Sequence, residues 1–276
     1  MSAAADSFEK RYGAALSDPG PPPGVWNTTL DLLLGHRSVR HYTADPLPPG
    51  ALAAALAAAQ SASTSSNLQL WSVIAVEDAA RKQRLSVHAG HQAHVARAPL
   101  LLVWLADIAR LRHLGAERNA ATEGLEYLEA FILASVDAAL AAQNAMTAFE
   151  SLGLGGCYIG GMRNQPAAVA GELGLPQGVF ALFGMTVGVP DPAHAAQVRP
   201  RLPPAAVLMR EQYRWNDEQR AAIAAYDERL RVFQRAVGMR EQDWTAQATR
   251  RVRDAAALTG RDVLRGFLNG IGFTLR

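Results

Sequence analysis

Residues 36–49 read HRSVRHYTADPLPP, and His36, Arg37, Ser38, Arg40 and His41 fall together at the start of the stretch. A guanidinium offers a planar fork that matches phosphate oxygens, and a serine hydroxyl adds a short donor. Hydrogen bonds to a charged group contribute about 1.5–3 kcal/mol each. The chemistry on offer is capture of a phosphate or another dianion. The plainer alternative is a solvated helix end, where cations suit the negative end of the dipole. A second basic stretch, VRPRLP (198–203), sets Arg199 and Arg201 either side of a proline that fixes the backbone. Alternate residues of an extended chain point the same way, so both guanidinium groups can serve one anion.

Other patterns carry weaker signals. STSSNLQ (63–69) is rich in hydroxyls and amides, which suits a polar linker, a polyol chain or the edge of a heterocycle. HAGHQAH spaces His88, His91 and His94 evenly. On a helix of 3.6 residues per turn such positions spread over about 120°, and Gly90 interrupts that helix, so the ligands of a metal site would not converge. In SLGLGGCYIGG the glycines do not fit G-x-G-x-x-G, and a helix, not a strand, precedes them. Gly153, Gly155 and Gly156 read as the stop of that helix. Gly160 and Gly161 form a pair that lets backbone N–H groups approach a ligand. There is no G-x-S-x-G, and Cys157, the single cysteine, reads as a packed apolar residue. RRVR (250–253) reads as a solvated helix face, not a nucleic-acid patch.

The elements that position these groups follow from the hydrophobic pattern. A chain of 276 residues that is 49% apolar can bury a large core, and a net charge of +2 gives no reason to expect nucleic acid. Only Lys10 and Lys82 are lysine, so arginine takes nearly every fixed-cation role. One cysteine permits no disulfide framework within the chain, which suits a reducing compartment. The N-terminus does not read as a secretory signal, and the apolar run APLLLVWLADIA is broken by Asp107 before it reaches the ~18 residues of a membrane span. A soluble, cytoplasmic protein is expected.

An amphipathic arm (1–24) ends in the stiff break GPPPG. Asn27 or Thr28 can cap a short helix that Gly35 closes. A second helix begins near Pro49. WSVIAV (71–76), LLLVWLA (100–106) and VFALFGMTVGV (179–189) read as buried strands, and CYIGG as a short strand or turn. Residues 122–156 form the longest helix. It is apolar almost all round from Phe131 to Met146, which predicts burial on every side, partly under a second subunit. The remainder is helical and arginine-rich. Strands alternating with long helices mean α/β or α+β, with a sheet covered on both faces.

Taken in order, GHRSVRHYT, the SSNLQ-x-W loop, GHQAHV, AQNAMTAFESLGLGGCYIGGMRN, and RPRLP followed by YDERL resemble the FMN-dependent nitroreductases. The likeness is to the NADPH-preferring group of oxygen-insensitive nitroreductases and flavin reductases, and it runs from about Thr29 to the C-terminus. It implies an α+β, nitroreductase-like fold: a mostly antiparallel sheet covered by helices on both faces. Residues 25–276 would form one FMN-binding domain with a helical excursion from about 205. Long interface helices would join a homodimer with FMN sites across the interface.

The resemblance also distributes roles. His36, Arg37 and Ser38 would lie along the phosphate and ribityl end of FMN, with Arg199 and Arg201 closing the other side of the phosphate. Arg40 would sit near N1 and O2 of the ring, where a fixed cation stabilises the reduced anion. Thr64, Ser65, Ser66, Asn67 and Gln69 would reach the ribityl chain and ring from the second subunit. Gln92 would meet the ring's polar edge, and Tyr158, Ile159, Gly160 and Gly161 its other face. Arg235 and Arg240 would read the 2′-phosphate of NADPH. The implied activity is alternating hydride transfer through one flavin face, from NADPH to nitroaromatics, quinones or free flavin. No side chain is expected to be catalytic, and no metal, nucleic acid or membrane is implied. Two alternatives are a dedicated flavin reductase supplying a monooxygenase and a non-catalytic flavin-binding protein. Leu70 departs from the family's usual proline after the loop's glutamine.

Overall fold

The strand LLLVWLAD is buried along its whole length, and the rest of its unit is arranged around it. The computed structural model describes residues 3–12 and 26–276, so GPPPG lies outside the described residues. The helices, in chain order, are α1 (Ala3–Tyr12), α2 (Thr28–Leu34), α3 (Ala51–Gln60), α4 (Ala79–His88), α5 (Ala93–Arg97), α6 (Ala109–Glu117), α7 (Leu128–Ser151), α8 (Pro166–Leu173), α9 (Pro204–Val207), α10 (Asp217–Ala236), α11 (Trp244–Arg251) and α12 (Leu264–Gly270). The strands are β1 (Trp71–Val76), β2 (Leu100–Asp107), β3 (Gly155–Ile159) and β4 (Val179–Gly188). The chain divides into two compact units. One comprises the described residues up to Arg37 with Ala196–Leu258, and the other comprises Ser38–Ala195 with Thr259–Arg276.

The second unit holds the sheet. Its order is β1-β2-β4-β3, and every pairing is antiparallel. Successive residues of a strand face opposite sides. Leu100, Leu102 and Trp104 therefore pack with α3 and α7, while Leu101, Val103 and Leu105 pack with α4, α5 and α8. Helices cover both faces, and the fold is α+β. Ser38–Thr43 is stitched to this sheet: Val39 N donates to Gly156 O at 2.9 Å, and Thr43 N donates to Val189 O at 3.0 Å.

That attachment corrects the reading of the glycines. Gly153, at φ +77°, does stop α7, but Gly155 and Gly156 are strand residues. A Cβ on Gly155 would fall 2.5 Å from the Val39 side chain, and one on Gly156 would fall 2.7 Å from Thr186 O. The missing side chain of Gly155 lets segment 38–43 lie down, and that of Gly156 makes room for the β4 backbone and Met146.

α7 also differs from expectation. It begins at Leu128, after an extended Tyr127, not at 122. By length and composition α7 alone among the described helices could cross a membrane, but its small-residue face is packed into the core. Ala134, Ala138, Ala141, Ala142 and Ala145 are all buried, whereas Leu128, Ile132, Val136 and Leu140 are 43–49% exposed. An apolar helix is thus covered on one side within the chain, not all round.

In the first unit, Asn27 caps α2 through a bond from Leu30 N at 3.1 Å. α10 starts with a reciprocal capping box between Asn216 and Gln219. The next stretch, expected to be helical, is broken after α11. Asp227 on α10 fixes the start of α11 by accepting from Thr245 N at 3.0 Å and from Thr245 Oγ1 at 2.5 Å.

Candidate active site

Both basic stretches of the first unit converge on one buried arginine. Arg11, on α1, is 6% exposed. Its Nη1 donates to Arg199 O at 2.9 Å, and its Nη2 donates to Leu34 O at 2.5 Å and His36 O at 2.9 Å. Arg201 N returns a bond to Arg11 O at 3.0 Å. Tyr226 on α10 adds a bond from its hydroxyl to Pro200 O at 3.2 Å. These contacts fix the backbone of residues 199–201 and leave the guanidinium groups available. Arg199 stands 6.0 Å over the Phe233 ring, and Arg201 reaches only backbone carbonyls. Among the described residues neither is paired with a carboxylate. Such a donor set suits a dianion.

In the second unit Ser38 follows directly and bridges Gly156. Its hydroxyl hydrogen-bonds the Cys157 thiol; burial pushes that thiol up, and Arg40 and Ser38 draw it part-way back. The Arg40 guanidinium is exposed, and its charge also reaches Tyr42 and His94. Burial first, then Arg40 and His41, holds His94 down at about 4, so this imidazole is neutral at neutral pH. The His41 ring stacks on His194 with centroids 4.6 Å apart.

The polar loop after α3 is anchored from beneath. Asp137, on α7, is 2% exposed. Its carboxylate accepts from Thr64 Oγ1 at 2.6 Å, Ser65 N at 3.3 Å and Leu70 N at 3.1 Å. Thr64 Oγ1 in turn accepts from Gln69 N at 3.0 Å. Arg110 clamps the far end, donating to Gln69 O at 2.9 Å and Trp71 O at 3.0 Å. Between these anchors Ser66, Asn67 and Gln69 hold φ of 49°, 53° and 53°. Left-handed backbone at non-glycine residues persists only where the surroundings over-determine it, and it gathers at ligand clamps.

The end of β3 completes the set. Tyr158 meets Phe183 edge-on, and Ile159 is buried. A Cβ on Gly160 would meet only arginine side-chain tips, at 3.4 Å or more. A Cβ on Gly161 would fall 2.3 Å from Ala89 O and 2.6 Å from Gln92 Nε2. Packing within the protein therefore accounts for Gly161. Gln92 Nε2 donates to the same Ala89 carbonyl at 2.7 Å.

Comparison with known proteins decides the family. The Nitroreductase family pattern matches residues 33–189, and the Nitroreductase family C-terminal domain matches 199–276. The chain belongs to the nitroreductase family. An FMN reductase (NADPH) of Bacillus subtilis is 40% identical over 80% of this chain and 90% of its own length. An oxygen-insensitive NADPH nitroreductase of Salmonella typhimurium is 42% identical over 79% of this chain and 88% of its own. The solved structure of the NfrA1 nitroreductase from Bacillus subtilis superposes with a TM-score of 0.83 at 36% identity, covering 90% of this chain and all of that one.

Within this family member His36, Arg37, Arg199 and Arg201 fall on loops joined by Arg11. The remaining expected contacts lie in the second unit, on the segment after Ser38, the 64–69 loop, Gln92 and the end of β3. Arg235 is engaged elsewhere: Glu241 accepts from its Nε and its Nη2, each at 2.9 Å. Arg240 is exposed. Three residues escaped the sequence reading: Arg11, Arg110 and Asp137. Only Asp137 carries a signal, a lone carboxylate inside an apolar run, because such a residue is rarely buried without partners.

Proposed function

We propose that this enzyme is an NADPH-dependent FMN oxidoreductase that reduces nitroaromatics, quinones or free flavin. The observation that carries this is the tie from Arg11 to the carbonyls of His36 and Arg199, which brings two basic loops to one place. The residues fit the phosphate of FMN: arginines without carboxylate partners, on backbone fixed by other groups. His36, Arg37, Arg199 and Arg201 hold the phosphate. Ser38 and Arg40 lie along the next part of the cofactor, with Arg40 placing its charge near the ring's N1. Thr64, Ser65, Ser66, Asn67 and Gln69 form a rigid polar clamp for the ribityl chain and ring. Gln92, Tyr158, Ile159, Gly160 and Gly161 line the ring. Bound FMN supplies the hydride chemistry, so no side chain of the protein needs to act as acid or base. On the sequence pattern Arg235 and Arg240 are candidates for the 2′-phosphate of NADPH, and Arg235 takes that role only by exchanging Glu241 for it.

The functional unit in this reading is a cytoplasmic homodimer with FMN sites across its interface. Leu128, Ile132, Val136 and Leu140 recur every fourth residue of α7, and all are exposed. A contiguous apolar stripe of this kind marks an interaction surface, and obligate interfaces bury more than about 2,000 Å². Asp137 joins the polar loop to this same helix, which supports sharing of the loop between subunits.

The test is the absorption spectrum of the purified protein, followed by NADPH under nitrogen and then a panel of acceptors. Stoichiometric FMN that bleaches with NADPH and recolours with nitroaromatic, quinone or free flavin is expected. A colourless protein that takes up no FMN defeats the reading. Bleaching without reoxidation by any acceptor reduces it to a flavin-binding protein.

A further inference from the structure

His94 holds an enclosed nitrogen with nothing to bond. Its Nε2 is shut off from solvent and has no hydrogen-bond partner among the described residues. Enclosed polar atoms are nearly always satisfied, so an orphan calls for a ligand, a water or a catalytic reason. The ring as a whole is half-buried, so water reaches part of it.

Its place in the second unit narrows the choice. His94 lies in α5, two residues after the capping Gln92. The charges that reach it are those of Arg40 and His41, on the segment stitched to β3. The other ionisable groups of α4 and α5 are engaged or solvated. Lys82 donates to Ala98 O and Pro99 O at 2.6 and 3.0 Å, His88 Nδ1 pairs with Gln165 Oε1 at 3.1 Å, and Arg97 is exposed. His41 is stacked on His194, whose Nδ1 pairs with Asp191 at 2.7 Å. In the reading above Gln92 meets the polar edge of the flavin ring and Arg40 stands near its N1. His94 has the first as a neighbour in the chain and the second as its strongest electrostatic partner.

Hydride transfer asks for no protein acid or base, but it leaves a charge behind. Hydride brings two electrons and one proton, so FMN gains one negative charge on reduction. In the oxidised site burial and Arg40 keep His94 neutral, at about 4. A unit negative charge about 5–8 Å away raises a pKa by about two units at an effective dielectric of about 20.

We propose that His94 faces the pyrimidine edge of FMN and takes up one proton from water when the flavin is reduced. This rests on the function proposed above. The balance closes: hydride passes from NADPH to FMN, a proton passes from solvent to His94 Nε2, and that proton is released when an acceptor reoxidises the flavin.

Two measurements on the FMN-loaded full chain test this. In histidine-selective 15N NMR the His94 signal, identified by its loss in His94→Gln, is expected to titrate about two pH units higher in the reduced protein than in the oxidised one. An unmoved midpoint overturns the proposal. Redox titration reads the same proton through the potential. One proton per two electrons makes the reduction constant fall tenfold per pH unit, about 30 mV, and two protons make it fall a hundredfold, about 60 mV. The wild type is expected to show the hundredfold dependence between about pH 4 and about pH 6 and the tenfold one above. His94→Gln keeps a donor but does not titrate, so it is expected to stay at tenfold throughout. Equal slopes in the two proteins overturn the proposal. So does a neutral reduced flavin in the wild-type absorption spectrum at about pH 5, which places the proton on the cofactor. A purely structural role for His94 lowers FMN affinity or the thermal midpoint and leaves the slope unchanged. His94→Asn replaces the glutamine variant if that one loses flavin, and the NMR comparison of the two wild-type states needs no variant to fold. A wild type that takes up no FMN fails the functional reading and this proposal together; the other adverse outcomes fail this proposal alone.

Discussion

The Thr64 hydroxyl donates to the Asp137 carboxylate at 2.6 Å, and so ties a polar loop to the core helix α7. The same carboxylate takes the backbone N–H groups of Ser65 and Leu70. The loop it holds contains left-handed Ser66, Asn67 and Gln69, conformations that cost on the order of 1 kcal/mol or more each. A buried, hydrogen-bonded charge offsets that strain, and the loop's shape is set before any ligand arrives. Asp137→Ala is expected to lower stability by about 3 kcal/mol, since it orphans the buried Leu70 N–H as well as losing charged bonds. It should also weaken FMN at least about tenfold. Urea denaturation and fluorescence titration with FMN check both. Unchanged FMN affinity in a folded variant would remove the loop from the site.

Arg11 has the corresponding place in the first unit. Replacing it with methionine keeps much of its apolar stem but removes the donors from the carbonyls of Leu34, His36 and Arg199. The expected cost is about 2–4 kcal/mol in stability, the penalty for uncompensated buried polar groups. FMN should bind more weakly because the two basic loops no longer share an anchor, although the side chains proposed to hold its phosphate are intact. An equilibrium dialysis series with wild type, Arg11→Met and Arg199→Ala/Arg201→Ala separates the effects. The double variant should be colourless, and Arg11→Met should fall between. If Arg11→Met binds as the wild type does, the tie is purely structural.

The imidazole of His94 gives a pH signature. Burial, Arg40 and His41 lower it to about 4 in the folded chain, against 6.5 for a free histidine. The unfolded chain therefore takes up a proton that the folded one refuses as pH falls from about 6.5 to 4. Stability from this group is fully present above pH 6.5, declines through that window and levels off below pH 4. Solvent reaches part of the ring, so the change is of order 1–2 kcal/mol. His94→Gln should flatten the stability curve over this window. Arg40→Ala should raise the His94 midpoint seen in an NMR titration. An unmoved midpoint would mean that the Arg40 charge does not reach the ring.

Much of this architecture was legible in the sequence. β1, β2 and β4 declare themselves because strands buried on both faces must be apolar at every position, with no alternation to blur their limits. The two basic loops were expected to serve one anion, and Arg11 joins their backbones. Gly155 and Gly156 were misread because what they avoid, Val39 and Thr186, is far off in sequence and near only after folding. RRVR was read correctly as solvated, because Arg250, Arg251, Val252 and Arg253 are all exposed. Within one chain the burial of α7 is one-sided, because an all-round apolar pattern does not distinguish cover from its own chain from the cover expected of a second subunit.

The exposed face of α7 gives a quantitative test of assembly. The α7 stripe is spaced at four residues, so Ile132 and Val136 stand one turn apart on a single face, 46% and 49% exposed. An aspartate in the middle of an apolar interface meets its copy or an apolar neighbour on the partner, and an unpaired charge there costs several kcal/mol. In the isolated chain the same aspartate is solvated and nearly neutral to stability. Ile132→Asp and Val136→Asp should therefore leave the fold of the chain intact and shift light-scattering mass from dimer to monomer. Because Asp137 hangs the 64–69 loop from this helix, FMN retention should fall in parallel with the mass. Monomeric variants that keep stoichiometric FMN would show that each site is complete within one chain.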